Sequence, residues 1–435
     1  MNTLFPKDFT DRMRQQLGDE LPAFLLALEE PAPRGIRLNP LKPAEAVSGF
    51  VAGKPILWET NGFYLDTESE AGSSILHEAG AFYIQEPAAM IPASILAPER
   101  GERILDLCAA PGGKATQIGC AMHGEGLLVC NEPVPKRAMV LSMNVERMGL
   151  SNTVVTCAFP EQLADQWPGL FDAVLVDAPC SGEGMFRRDP ETRKEWTVEK
   201  SIGCAQRQKD ILTAAVRLVR PGGRLVYSTC TYNPLENEMN VQWLLQTFPE
   251  FELESFYLPG IDAPEGMYTC WPHRIKGEGQ FAAKLRKRGD EKPCPTPDKS
   301  LPVPSSELRR TFENTFPSFP KATHLFGKTL VSMRELPDLK GIKVFRAGLH
   351  LGEIRGKIAI PDHAAALCFQ PPAMPAINVS PEDACRYMAG ETIDAEADGW
   401  TLIQYRGLNL GWGKGTDGII KNHYPKGLRG SRFIP

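Results

Sequence analysis

The chain lacks several features that would narrow its class at once. Nowhere in its 435 residues is there an apolar run of about 18 residues, the length a bilayer-spanning helix needs, so no membrane association is expected. The opening residues, MNTLFPKDFTDRM, lack the apolar core of a signal peptide, and a cytoplasmic protein is expected. The 11 cysteines form no CxxC pair, and the 7 histidines do not cluster with them at zinc spacing, so no metal site is expected. Without a secretion signal, the cysteines read as reduced thiols and not as a disulfide framework. An excess of positive charge is missing too. At a formal charge of −5, any polyanion would have to be held by local basic patches. Hydrophobic content of 42% and charged content of 23% are ordinary for a globular chain of two or three domains.

What is present is most ordered in the middle. Short apolar runs, RILDLC (103–108), GLLVCNE (126–132), NTVVTC (152–157), FDAVLVD (171–177) and GGRLVYST (222–229), read as strands. Amphipathic stretches over Lys114–Met122, Pro135–Met148 and Ala205–Val219 read as helices between them. Alternation of this kind implies an α/β fold with a doubly wound parallel sheet, over residues 99–288. Residues 1–98 mix helix signals (Asp8–Leu17, Pro22–Glu29) with a strand signal at RGIRLNPLK (34–42), as in a small α+β domain. Residues 289–306 hold five prolines and no periodicity, as in a linker. Residues 307–435 read as a further, mostly β region.

In open α/β sheets, ligands bind beyond the carboxyl ends of the strands. The first strand here runs into DLCAAPGGKATQ, where Gly112 and Gly113 permit close backbone approach and a helix N-terminus follows. The loop is not GxGxxG, and it departs from a P-loop at Cys108 and Ala115. Glu132 ends the second strand and suits a pair of ribose hydroxyls. A glycine loop and a ribose acid without a phosphate motif fit S-adenosylmethionine; the bland alternative is a glycine turn beside a solvated acid.

The fourth strand ends in DAPC, Asp177 to Cys180, and the next in STC, with Cys230. Carbon 5 of a pyrimidine is a poor nucleophile. A thiolate added to carbon 6 makes carbon 5 enamine-like, so that it can take a methyl group. An acid beside the thiol can hold ring N3 and stabilise the adduct. Neighbouring strands lie about 5 Å apart, so both thiols could reach one base. A lone cysteine is more often a small buried hydrophobe, which is the reading for Cys120, Cys130, Cys157, Cys204, Cys270, Cys368 and Cys385. Cys294 reads as a linker thiol, and Cys108 as packing beside the cofactor loop. Which of Cys180 and Cys230 attacks is left open by the residues alone.

DLCAAPGGKATQ, NEPVPKRA, DAPCSGEGMF, RQKDILTAAVRLVRPGGRLVYSTCTYNPLENE and PHRIKGEGQFAAKL, in this order, resemble the RNA 5-methylcytosine methyltransferases of the Sun/Fmu type, RsmF-like branch. The resemblance is strong over residues 30–288 and looser beyond. It implies Cys230 as the nucleophile, Cys180 as the group that helps release product, and Asp177 as the cytosine contact. It further implies a cofactor loop of Cys108, Ala109, Ala110, Pro111, Gly112, Gly113 and Lys114, completed by Glu132, Arg137 and Asp177. The implied substrate is ribosomal RNA of the small subunit, handled by a monomer with a C-terminal PUA-like β barrel. Competing readings are a tRNA cytosine-5 methyltransferase, a DNA cytosine methylase and a non-catalytic RNA-binding assembly factor. Two departures from the family stand out. Cys157–Ala158 occupies the place of an acid near the adenine, and Leu235 precedes Glu236-Asn237-Glu238, acids that could simply cap the next helix.

RNA would be gripped as single strand or flipped base. Basic candidates are Arg34, Arg37 and Lys42; Arg187 and Arg188; Lys284, Arg286, Lys287 and Arg288; and Lys421, Lys426, Arg429 and Arg432 in the tail. The block GWTLIQYRGLNLGWGKG (399–415) reads as β-hairpins with exposed aromatics. Each basic cluster taken singly is more often a solvated face.

Overall fold

A computed structural model describes residues 5–49, 53–66, 68–290, 301–368, 374–430 and 433–434. Most of the expected linker, with Cys294, lies outside the described residues, as does Arg432.

The N-terminal part begins with helices α1 (Lys7–Leu17) and α2 (Leu21–Ala27). Phe9, Met13 and Leu17 recur every four residues and give α1 one apolar face. That face does not stay within its own domain. It is buried with Phe24 against Phe186, Trp196 and Tyr232, which belong to the loops beyond the central strands. Strand β1 (Arg34–Leu38) then pairs antiparallel with both β2 (Gly62–Leu65) and β3 (Phe82–Gln85).

The central strands are β4 (Arg103–Asp106), β5 (Leu127–Asn131), β6 (Thr153–Cys157), β7 (Phe171–Asp177) and β8 (Val219–Thr229). They are parallel and fully buried along most of their length, as unbroken runs of Leu, Val and Ile demand in a sheet covered on both faces. Helices α3 (Gly113–Ala121), α4 (Pro135–Arg147) and α5 (Val198–Leu218) lie between them. Helix α5 starts earlier than its apolar period suggests, because the Thr197 hydroxyl accepts from the Lys200 amide and caps it.

Sequence periodicity missed four members of this sheet. Strands β9 (Phe251–Leu253), β10 (Met267–Cys270) and β11 (Gln280–Lys287) extend it antiparallel beyond β8, and β12 (Lys343–Ala347) pairs antiparallel with β6 at the other edge. The order is β10-β11-β8-β7-β4-β5-β6-β12, with β9 also on β11. The chain therefore leaves β4 toward β5 and β6, then crosses back to β7 and β8. The crevice where it reverses opens at the carboxyl ends of β4 and β7.

The sheet does not end at residue 288, where the expected catalytic region does. Met333, Leu336, Leu339, Ile342 and Ala347 are buried in the same apolar cluster as Leu105, Val129 and Val154. A four-stranded sheet (324–326, 329–332, 349–355, 358–361) and a five-stranded one (376–378, 393–394, 399–405, 408–416, 419–422) follow. The hairpin expected at 399–415 forms. Its two-residue turn has φ of 52° at Arg406 and 78° at Gly407, the positive pair that matches strand twist. Its aromatics are not exposed, contrary to expectation. Trp412 is buried and donates its indole N–H to the Asp362 carbonyl at 2.8 Å, Tyr405 is buried, and Trp400 is half-buried. They belong to the core of the C-terminal region.

Because Leu336 is fully buried against the central sheet, Leu336→Ala should lower stability by about 3 kcal/mol in a denaturant melt followed by tryptophan fluorescence. A loss below about 0.5 kcal/mol would mean that this segment is not part of the catalytic core.

Candidate active site

The loop after β4 is built around the backbone of Gly112, whose φ is 118°. A Cβ there would also press on Leu141 at 3.3 Å, so a side chain is disfavoured twice. Arg137 Nη2 donates to the Ala110 carbonyl at 2.9 Å and Asn144 Nδ2 to the Pro111 carbonyl at 2.8 Å, which pins the loop to α4. Beside it lies a cavity of about 650 Å³, lined by Cys108, Ala109, Ala110, Pro111, Gly113, Lys114, Asp106 and Asp177 on one side. The other wall comes from the N-terminal domain, through Arg34, Tyr83, Gln85 and Glu86, with Arg188 also in the lining.

Asp106 and Asp177, ending β4 and β7, give this cavity its charge. Asp106 is buried, and neither of its carboxyl oxygens has a hydrogen-bond partner of ordinary geometry among the described residues. Burial first, then the charge of Asp177, pushes its pKa up to about 8. Asp177 is fully engaged. Lys114 Nζ donates to it at 2.7 Å, the Ser228 hydroxyl at 2.7 Å and Gln280 Nε2 at 3.4 Å. Burial, the largest single influence, opposes the charge on Lys114, but Asp177, Cys230 and Asp106 together outweigh it and raise its pKa above the ordinary range.

The register of β7 and β8 sets Asp177 opposite Ser228, so the loops that follow leave side by side. Cys180 and Cys230, fifty residues apart in sequence, meet with their sulfurs 3.1 Å apart. The thiols are unlike. The hydrogen bond to Cys230, then burial and the nearby charges of Cys230 and Glu236, push Cys180 well above the ordinary thiol range. Either sulfur can be the donor in that contact. Lys114 lies within electrostatic reach of Cys230.

Two further acids hold these loops. Glu183, fully buried, takes an ion pair from Arg12 of α1 at 2.7 Å, the Trp196 indole N–H at 2.9 Å and the Tyr232 amide at 3.2 Å. Gln16 Nε2 of the same helix donates to the Tyr232 carbonyl at 3.3 Å. Glu278 is buried beside Arg187, and burial raises its pKa to about 7. None of these acids was singled out in the sequence. Their only signal was position within motifs that already carried cysteines or glycines.

Glu132 is buried at the end of β5, where it accepts from the Val134 amide at 2.9 Å and pairs with Arg137 at 3.1 Å. A carboxylate offers about four lone-pair sites, so acceptor capacity for ribose hydroxyls remains. Asp106, whose only donor is the poorly aligned Cys108 amide among the described residues, would meet a cationic amino group, and the small side chains of the glycine loop leave room for a nucleoside. The donor set thus fits S-adenosylmethionine. At the third strand end, Ala158 spends both backbone groups on Asn131, and Cys157 donates to the Pro133 carbonyl. No side chain is assigned to the adenine.

Several expected RNA contacts are corrected. Arg37 is buried and donates to Gln85, Thr116 and the Gly113 carbonyl, bracing the cofactor loop from behind. Arg187 is spent on Glu278 and on the carbonyls of Ala27 and Gly277. Lys42 donates to the Leu367 carbonyl. Lys284 and Arg286 share Glu254, Lys287 donates to the carbonyls of Val216 and Val219, and Arg288 faces Glu252. These four ladder residues belong to strand β11 and its end, so their charges serve the sheet edge. Arg188, Lys421, Lys426 and Arg429 are exposed, the last also donating to the Tyr424 carbonyl. Arg34, half-buried at the cavity, donates to the Ser69 carbonyl at 2.9 Å.

A doubly wound sheet with a glycine loop after its first strand, an acid after the second and an acid beside the cavity defines an S-adenosylmethionine-dependent methyltransferase. The family model for 16S rRNA methyltransferase RsmB/F matches residues 93–286. Models for the RsmF N-terminal domain, first C-terminal domain and PUA domain match residues 5–87, 311–369 and 375–430. The chain is 32% identical over 465 residues to ribosomal RNA small subunit methyltransferase F of Enterobacter sp. (strain 638), covering 98% of this chain and 96% of the relative. The same protein of Citrobacter koseri is 32% identical over 463 residues with the same coverage. A solved methyltransferase homologue from Pyrococcus horikoshii superposes with a TM-score of 0.58 at 29% identity, over 65% of this chain and 95% of its own. The chain belongs to the RsmF group of the RsmB/F family of 16S rRNA methyltransferases.

Arg12→Met would strand Glu183 as a buried, partly unpaired charge. It should lower stability by about 3 kcal/mol, read as a fall in thermal midpoint. An unchanged midpoint would show that the ion pair does not hold α1 to the catalytic loops.

Proposed function

We propose that this chain forms 5-methylcytosine in 16S rRNA through a covalent adduct at Cys230. The observation that carries this reading is the pair of thiols at 3.1 Å, beside the Lys114–Asp177 pair at the mouth of the cofactor cavity. S-adenosylmethionine supplies an electrophilic methyl group. Cys108 to Lys114, Glu132, Arg137 and Asp106 hold it.

Cys230 adds to carbon 6, and the π electrons of the C5–C6 bond shift toward N3. Asp177, which accepts from Lys114 and Ser228, faces the ring, and the Lys114 ammonium beside it offsets the negative charge that develops at N3. Carbon 5 takes the methyl group as the methyl–sulfonium bond breaks, which would leave S-adenosylhomocysteine. A base then takes the carbon 5 proton, the electron pair returns to the C5–C6 bond, and Cys230 leaves as the thiolate. Cys180, protonated and in contact with the same sulfur, assists that departure. The choice of Cys230 as attacker, which residue types alone left open, rests on the resemblance of its STC loop to the family's nucleophile motif. Arg34 and Arg188 at the cavity, with Lys421, Lys426 and Arg429 on the C-terminal region, form the proposed RNA contact. The scheme needs both thiols reduced, which suits a cytosolic reaction, and the proposed enzyme acts as a monomer.

Cys230→Ala should abolish methyl transfer to 16S rRNA, and activity at the unaltered level would end the covalent scheme. Cys180→Ala should instead accumulate a protein–RNA adduct that survives denaturing electrophoresis. Cofactor affinity should depend on pH through Asp106. Its free carboxyl titrates near 8 and a bound cation lowers that value, so binding releases a proton below about pH 8. Affinity should therefore rise with pH, by up to about tenfold per unit, and level off above about pH 8. Titration calorimetry on Asp106→Asn should flatten that rise; an identical profile would remove Asp106 from the cofactor site.

A further inference from the structure

Glu236 sits in TYNPLENE, where an acid could simply have capped the next helix. It does not do so. The helix Glu238–Thr247 begins two residues later, with Asn237 at its cap position and no side-chain cap bond. Glu236 is fully buried and reaches across to the other catalytic loop. One carboxylate oxygen accepts the Ser181 hydroxyl at 2.5 Å; the other accepts the Ser181 amide at 2.9 Å and Gln208 Nε2 at 2.9 Å. All three are donors and favour the carboxylate, against burial, which raises its pKa above the ordinary range.

The surrounding bonds close a ring between the two loops. Gln208 Nε2 also donates to the Pro179 carbonyl at 3.0 Å, on the residue before Cys180. The Ser181 hydroxyl meets Thr231 Oγ1 at 3.0 Å, joining the residue after each thiol. Tyr227 donates its hydroxyl to the Glu236 carbonyl at 2.6 Å, and Asn240 Nδ2 donates to Gln208 Oε1 at 2.9 Å. Pro179 and Ser181 are therefore tied from both sides of Cys180, while the thiol itself is left to Cys230.

We propose that Glu236 is the positioning residue that sets the contact between Cys180 and Cys230, by clamping Ser181 and, through Gln208, Pro179. The inference rests on the covalent reading above. A fully buried carboxylate is costly unless its donors are fixed, so each donor is held in turn by the acid. Its charge also faces Cys180 and helps keep that thiol protonated, alongside Cys230 and against the Gly182 amide. The groups facing the carboxylate are Ser181, Gln208 and, at longer range, Glu183.

The experiment compares the intact protein with Glu236→Gln and Ser181→Ala. The readouts are kcat and KM on 16S rRNA, S-adenosylmethionine affinity, and the rate at which diamide closes a Cys180–Cys230 disulfide. Diamide takes up the two electrons and two protons, so closure reports sulfur–sulfur contact without catalysis. Glu236→Gln replaces an acceptor by a donor facing Ser181 or Gln208. It should slow closure at least tenfold and lower kcat about a hundredfold, with cofactor affinity and KM within threefold. Ser181→Ala keeps the amide bond and should lower both rates about fivefold; it decides the matter if Glu236→Gln does not fold. Unchanged closure and kcat in the folded variants would overturn the inference, as would a loss of cofactor affinity parallel to the loss of kcat. An active Cys230→Ala would instead overturn the covalent reading, and closure would still report on the clamp.

Discussion

The parallel pairing of β7 with β8 is the constraint on which the site depends. It places Asp177 opposite Ser228 and sends two loops out of the sheet about one strand spacing apart. A pairing shifted by one residue would turn one loop's side chains to the opposite face of the sheet and separate the thiols. The apolar runs FDAVLVD and GRLVYST resist such a shift because their side chains are buried on both faces. Chemistry at the strand ends thus inherits its precision from packing in the strand interiors.

Buried acids carry that precision from the strands into the loops. Glu183, Glu236 and Glu278, with the half-buried Glu86, each accept donors from segments distant in sequence. Glu183 joins α1 to both thiol loops, Glu236 joins the loops to each other, and Glu86 accepts the amides of Ala88, Ala89 and Glu278. A charge away from water is tolerated only when its partners stay in place, so each acid resists movement of every segment it touches. The catalytic loops need this support because loops have few backbone ladder bonds of their own.

The same logic runs outward. The N-terminal helices bury their aromatic face against Phe186, Trp196 and Tyr232, and β12 from the C-terminal region completes the sheet at β6. Flanking regions that would grip RNA are thus continuous with the core that holds the thiols. The proposed RNA-facing surface and the proposed reacting groups are parts of one packed body.

Much of this was legible in the sequence. Strand–helix alternation, the glycine loop, Glu132, Asp177 and the two strand-end thiols are local patterns, and local patterns survive in a one-dimensional text. The sequence by itself determined that two thiols and an acid would leave neighbouring strands near a cofactor loop. It did not determine which arginines stayed free: Arg37 and Arg188 read alike, yet one is buried behind the cofactor loop and the other is exposed. Nor did it reveal β11, β12, the orphaned Asp106 or the clamp at Glu236. Those were decided only by tertiary structure, because a hydrogen bond or strand pairing between residues tens to hundreds apart leaves no periodic trace, and burial alone makes such a bond decisive.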